Sequence, residues 1–269
     1  MHVIPILSCK GGVGKTRICV GLGRALKGRN FKVGFLDIDW VAPNLHIELG
    51  ISPDHSLILD SGVGNIIQHI ISPENFPVVS SAFIFPHDQS VSMDEESTIK
   101  DIEEITRPGV INWDVDGPLD YLLMDTPPTT ARFVQVALKI PNLSGVILVT
   151  QPATTSIADL MRTISLIKDI HIPVLGLVGN QVYVECSHGE KINLYNLGEE
   201  DLEELCHLEG IPYLGSIPHV VPKLGFPHFD GIVDSMLAAK PVFLKTRKVS
   251  TLPYKLILAL ARAGKHDEK

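Results

Sequence analysis

The segment Lys10-Gly11-Gly12-Val13-Gly14-Lys15-Thr16 constrains this chain more than any other part of it. It stands between a short apolar run, Val3–Leu7, and a helical pattern over Lys15–Lys27. A strand, a glycine-rich loop and a helix in that order make a phosphate cradle. The glycines let backbone N–H groups close on phosphate oxygens, and the helix start adds its positive end. Gly14-Lys15-Thr16 completes the pattern G-x-x-x-x-G-K-[ST], but Cys9 stands where its first glycine is expected. In such a loop Lys15 reaches the β- and γ-phosphates of ATP and the Thr16 hydroxyl ligates Mg²⁺. A glycine turn without nucleotide is the competing reading, and the flanking strand and helix disfavour it.

The remaining pattern alternates strands and helices. Lys32–Asp37, Val78–Phe85, Tyr121–Met124, Val146–Thr150, Val174–Val178 and Tyr213–Ile217 are short, β-rich runs closed by Gly, Pro or Asp. Thr154–Ile170 and Glu199–Glu209 carry helical spacing. This predicts a doubly wound, mostly parallel α/β sheet with ligands at the carboxyl ends of its strands. The 269 residues are read as one domain, 1–269, with a divergent segment over 51–112. Within it Asp94–Ile105 reads as a helix with a solvated acidic face. A C-terminal helix over 252–264 is expected to pack on the sheet.

A formal net charge of −8 argues against broad affinity for nucleic acid backbones or anionic membranes. No apolar run approaches the roughly 20 residues of a membrane span, and Val3–Leu7 is too short for a secretory signal. The four cysteines are not spaced like a disulfide scaffold. The expectation is a cytoplasmic protein with no nucleic acid or membrane partner.

Three carboxylates end apolar strands behind the phosphate loop. Leu36-Asp37-Ile38-Asp39 closes the second strand, and Tyr121-Leu122-Leu123-Met124-Asp125 places four apolar residues before a carboxylate that can hold Mg²⁺ through water. One Asp at a strand end reads equally well as a helix cap. Three in this order weaken that alternative.

The loop KGGVGKT resembles the deviant Walker A motif of the MinD/ParA/nitrogenase-iron-protein class. That resemblance implies a homodimer formed around ATP, with Lys10 reaching the nucleotide of the opposite subunit. It also implies Asp37 near Mg²⁺, Asp39 positioning the attacking water, Asn180 on adenine and Pro218 against the purine. Asp125-Thr126-Pro127-Pro128 looks like the second switch of the class, which usually continues with glycine. Thr129 stands there instead, and Thr disfavours positive φ, so a slow hydrolysis is expected.

Further resemblance is to the Mrp/ApbC branch of iron–sulfur carriers. It lies in Trp113-Asp114, Leu119-Asp120-Tyr121, Ile172-Pro173-Val174-Leu175-Gly176 and Gly210-Ile211-Pro212-Tyr213-Leu214-Gly215-Ser216-Ile217-Pro218. In that branch the loop corresponding to Val182–Leu194 presents C-x-x-C, and a dimer offers four thiolates. Here it reads Cys186-Ser187-His188-Gly189-Glu190-Lys191, with Gly189 in place of the second cysteine. Two copies would supply two Cys186 and two His188, an S₂N₂ set suited to zinc, nickel or another borderline metal, or to a histidine-ligated iron–sulfur cluster. A relic loop with no metal is the alternative. Cys9 and Cys19 read as packing residues beside the phosphate loop, and Cys206-His207 as part of a helix in the core.

The resemblance thus implies a homodimeric ATPase assisting iron–sulfur cluster or metallocofactor assembly, with a client metalloprotein or scaffold protein as partner. A nickel-insertion ATPase and a MinD/ParA-type positioning ATPase without metal are the competing readings.

Overall fold

A computed structural model describes residues 1–8, 10–40, 42–52, 58–60, 66–83, 95–114, 117–128, 132, 135–136, 138–186, 188–219 and 227–245. The expected helix over 252–264, Cys9 and Thr129 lie outside the described residues. The chain groups into two compact units, Met1–Leu7 with Lys15–Ser144, and Ser8–Gly14 with Gly145–Lys269.

The first unit runs β1 (His2–Leu7), α1 (Lys15–Gly28), β2 (Val33–Asp37), α2 (Leu45–Glu48), β3 (Ile58–Asp60), β4 (Ile66–Gln68), β5 (Ile70–Ile71), β6 (Pro77–Ser80), α3 (Glu95–Ile105), β7 (Ile111–Asn112) and β8 (Tyr121–Asp125). Its main strands lie in the order β1–β8–β2–β6–β5, parallel except for the last pair. β1, β2 and β8 are mostly apolar and buried because a parallel strand is covered on both faces. Register then does the functional placing. Asp37 lies opposite Asp125, so two carboxylates end neighbouring strands together.

Helix α1 packs over β1, β2 and β8. Gly23 permits that approach, since a Cβ there would collide with the Phe35 ring. The legs of α1 are pinned by Arg24, whose Nε donates to Glu74 Oε2 at 2.8 Å, and by Lys27, which bonds the Glu74 carbonyl.

The run expected as a strand over 78–85 behaves differently. Strand β6 stops at Ser80, and Ser81–Phe83 form a 3₁₀ turn. The Ser80 hydroxyl accepts from the Ala82 N–H at 3.2 Å, a local bond that competes with the ladder. The 51–112 segment contributes a small sheet of β3, β4 and β7 that its composition did not announce. Helix α3 forms nearly where expected. Thr98, Ile102 and Ile105 face inward at helical spacing, while Glu103 and Glu104 face solvent.

The second unit runs β9 (Val146–Thr150), α4 (Thr154–Ile170), β10 (Pro173–Asn180), β11 (Tyr183–Glu185), β12 (Lys191–Asn193), α5 (Glu199–Glu209), β13 (Tyr213–Ile217), α6 (Asp230–Ala238) and β14 (Val242–Phe243). Strands β9, β10 and β13 are parallel neighbours, and β14 adds antiparallel to the start of β10. Helix α5 opens on Glu199, Glu200 and Asp201, acids that suit the positive helix end. The Gly198 N–H donates back to Asp201 Oδ2 at 2.7 Å. Both units are mostly parallel α/β sheets with flanking helices, the architecture expected from the sequence. Among the described residues, no helix is long and apolar enough to cross a membrane.

Candidate functional site

In the first unit the loop's last residues head α1. Lys15 is buried, and Thr16 Oγ1 donates to Asp125 Oδ2 at 2.5 Å. Asp125 is 2% exposed, and its Oδ1 has no hydrogen-bond partner among the described residues. A buried carboxylate oxygen without a partner is costly unless something else occupies that position. Burial pushes the Asp125 carboxyl up to about 6, with the Thr16 bond and the Lys15 charge opposing it.

A hydroxyl and a carboxylate side by side are hard oxygen donors of the kind Mg²⁺ takes, and the orphaned Oδ1 fits such an ion. Among the described residues no group of three or more His, Cys, Asp or Glu is arranged to hold a metal. Two protein donors suffice for Mg²⁺, which completes its shell from phosphates and water.

Asp37 is held by its own chain. Its Oδ1 accepts from the Asp39 N–H at 3.0 Å, and its Oδ2 accepts from the Ser80 hydroxyl at 3.0 Å and the Leu45 N–H at 3.3 Å. Both oxygens are engaged, so Asp37 fastens the turn after β2 to α2 and β6. Burial, then the neighbouring Asp125 charge, hold its carboxyl well above the usual range. Asp39, on that fastened turn, accepts from the Ala42 N–H at 3.1 Å, and the Ser81 hydroxyl bonds its carbonyl at 3.1 Å. Cys19 is fully buried behind these carboxylates, and burial pushes its thiol up, as befits a packing residue. Thr126 donates its hydroxyl to the Ile6 carbonyl at 2.7 Å, anchoring the chain just after β8.

The second unit carries the loop's first part. Gly12 and Gly14 take φ of 78° and 88°, the region only glycine enters cheaply. Gly14 has a second reason to be glycine, since a Cβ would collide with the Asn180 amide. Asn180, 2% exposed at the end of β10, donates from Nδ2 to the Val13 carbonyl at 2.7 Å. This bond braces the loop from the end of β10. Asn180 pairs with Ile217 in the β10–β13 register, which brings Pro218 to the same strand ends. Lys10 Nζ lies 3.1 Å from Thr155 Oγ1 and 3.2 Å from Ser156 Oγ, in the first turn of α4. That seat was not anticipated; its only sequence trace is a run of three hydroxyls at a helix start.

Cys186 and His188 lie at the tip of a hairpin, β11 with β12, where a loop was expected. The turn closes through Cys186 N–H to the Glu190 carbonyl and Gly189 N–H to the Cys186 carbonyl, both 2.9 Å. Gly189 has φ of 80°, so the turn favours glycine at the position where a C-x-x-C loop has its second thiol. Cys186 is half-buried and His188 exposed. Cys206, on α5, is buried, and its thiol is pushed up to about 12 by that burial.

Comparison with known proteins bears on both regions. The ParA family model described as NUBPL iron-transfer P-loop NTPase matches residues 1–224. An iron–sulfur cluster carrier protein of Pyrococcus abyssi is 30% identical over 226 residues, covering 81% of this chain and 74% of that protein. Among solved structures, a nucleotide-binding protein of Archaeoglobus fulgidus in complex with ADP, with cobalt found in it, superposes with a TM-score of 0.65 at 25% identity, over 91% of this chain and 94% of that one. MinD of Pyrococcus horikoshii, complexed with Mg-ADP, gives a TM-score of 0.54 at 21% identity, over 100% and 96% of the two chains. The last likeness speaks for the fold alone.

Proposed function

The chain belongs to the ParA family of P-loop NTPases, in its NUBPL iron-transfer group, and from that premise we propose that it is a homodimeric, ATP-hydrolysing carrier of iron–sulfur clusters or a related metal cargo. The observation that carries the reading is the pair Thr16 and Asp125 at the head of α1, with a buried carboxylate oxygen left over. It is a Mg-nucleotide seat formed in advance of its ligand.

Lys15 bears on the β- and γ-phosphates, and the N–H groups of Gly11 to Gly14 line the phosphate oxygens. When bound, Mg²⁺ at Thr16 and Asp125 neutralises phosphate charge. Asp39 orients the attacking water, whose oxygen bonds to the γ-phosphorus as the bond to the bridging oxygen of ADP breaks. Lys10 acts on the nucleotide of a second copy, where its charge stabilises the transferring phosphoryl group. Asn180 and Pro218 place the base, Asn180 while bracing the loop. The exposed hairpin with Cys186 offers the cargo side, and its clients are a metalloprotein or scaffold protein.

Two measurements test this. The purified chain should hydrolyse Mg-ATP slowly, and after anaerobic reconstitution with iron and sulfide it should pass a cluster to an apo acceptor protein. Hydrolysis without any bound iron, zinc or nickel under those conditions would instead favour a positioning ATPase that carries no metal.

A further inference from the structure

Lys10 has a seat within its own chain, and the segment that provides it also holds the hairpin of Cys186. Its ammonium donates to the Thr155 and Ser156 hydroxyls at 3.1 and 3.2 Å. Those residues form the first turn of the 17-residue helix α4, whose positive end repels a cation. Two hydroxyl acceptors offset that repulsion, so the seat is one from which a phosphate can draw the lysine.

A few residues upstream, the same segment touches both roots of the hairpin. Gln151 Nε2 donates to Gln181 Oε1 at 2.7 Å, just before β11. Asn196 Nδ2 donates to Thr154 Oγ1 at 3.3 Å, just after β12. Gln181 has φ of 55°, unusual for a residue with a side chain. Its neighbour Asn180 is the residue bonded to the Val13 carbonyl. Residues 151–156 therefore meet the loop lysine at one end and both hairpin roots at the other.

We propose that Thr155 and Ser156 are positioning residues for Lys10, and that its departure from their hydroxyls changes the hold of residues 151–154 on the Cys186 hairpin. This rests on the nucleotide reading above. ATP would distinguish two arrangements of the helix start, one with the lysine seated and one with it drawn to phosphate, and so shift their populations. His188, Gly189 and Glu190 at the hairpin tip are exposed and Cys186 is half-buried, so the thiol can report how the roots are held.

The test is alkylation of Cys186 by iodoacetamide in the full chain, read by peptide mass spectrometry, with and without a non-hydrolysable ATP analogue and Mg²⁺. In the wild type the analogue should change the rate at least about threefold, the scale of losing a modest hydrogen-bonded contact. In the Thr155→Val/Ser156→Ala double variant the rate without analogue should already lie at the analogue-bound value. The hydroxyl-retaining Thr155→Ser/Ser156→Thr variant should restore the wild-type response, which a mere loss of packing would not predict. If the double variant responds as the wild type does, or if a wild type that binds the analogue by calorimetry shows no change at Cys186, the inference falls and the nucleotide reading stands. A wild type that does not bind the analogue overturns both.

Discussion

The carboxylates at the ends of β2 and β8 and the thiol at the tip of the β11–β12 hairpin are all candidate metal ligands, in opposite surroundings. Asp37 and Asp125 are 1% and 2% exposed, and between them they engage Thr16, Ser80 and the N–H groups of Asp39 and Leu45. Cys186 and His188 stand on a turn where, among the described residues, two backbone bonds close the chain, beside a strand, Lys191–Asn193, that is exposed along its length. A buried polar set must be fixed by its own chain, because each unpaired group there costs free energy. An exposed tip has no such requirement, and its ligand geometry can come from a second molecule. Thr16 and Asp125 are thus fixed within one chain, whereas Cys186 and His188 would hold the proposed cargo only with ligands from a second molecule.

The largest expected effect falls on the pre-formed side. Lys15→Ala removes the loop's own cation from the phosphates and should weaken Mg-ATP binding at least about 100-fold by calorimetry, the scale of losing charge-assisted bonds to phosphate. Cys186→Ser should leave that affinity unchanged. Equal losses in the two variants would abolish the contrast. Asp39→Ala should be next in size, keeping nucleotide affinity while turnover falls on the order of 100-fold, as for a lost water-orienting group. Turnover equal to the wild type would remove Asp39 from the reaction.

A smaller effect reads the burial itself. The folded-state value of Asp125, about 6 against an ordinary 3.8, means that the folded chain binds the proton more tightly than the unfolded chain. Stability without ligand should therefore fall as pH rises from about 4 to about 6 and stay lowered above that, a deficit of up to about 3 kcal/mol. Burial of Asp37 acts in the same direction. Asp125→Asn should then melt several degrees higher than the wild type near neutral pH, with the advantage closing toward about pH 4. Saturating Mg-ATP should reverse the order, because only the wild type gains full ligand stabilisation. A variant that melts lower without ligand at neutral pH would mean that the carboxylate is not strained by its site.

The same contrast governs what could be read from sequence. Strands β2 and β8 announced themselves because apolar runs end abruptly in Asp37 and Asp125. Helix α4 was legible from its 3.6-residue spacing. The hairpin was not, since its strands are only three residues each and half polar, a pattern shared with ordinary loops. The strands β3, β4 and β7 were missed for the same reason of length. Side-chain duties were less legible than positions. Asp37 ends the right strand, yet only the structure assigns both its oxygens to protein donors. Asn180 ends β10 as expected, but its bond to the Val13 carbonyl depends on how closely β10 meets the loop. Thr155 and Ser156 read as an ordinary helix start until the Lys10 ammonium is placed on them.

The smallest effect on nucleotide chemistry, and the sharpest test of the exposed side, concerns Cys186 and His188. One thiolate and one imidazole per chain cannot complete a four-coordinate site, whereas two copies related by a twofold axis can. The turn reinforces the limit, because φ of 80° at Gly189 disfavours a second cysteine there and so leaves two ligands per copy. Metal or cluster content measured anaerobically should therefore approach one site per two chains, require ATP-stabilised dimer, and fall in both Cys186→Ser and His188→Ala. Light scattering separates the causes, since the two variants should still dimerise with ATP while Lys10→Ala should not. Metal bound at one per chain, or bound equally by both variants, would place the cargo elsewhere, and the hairpin would then be a contact surface for the client alone.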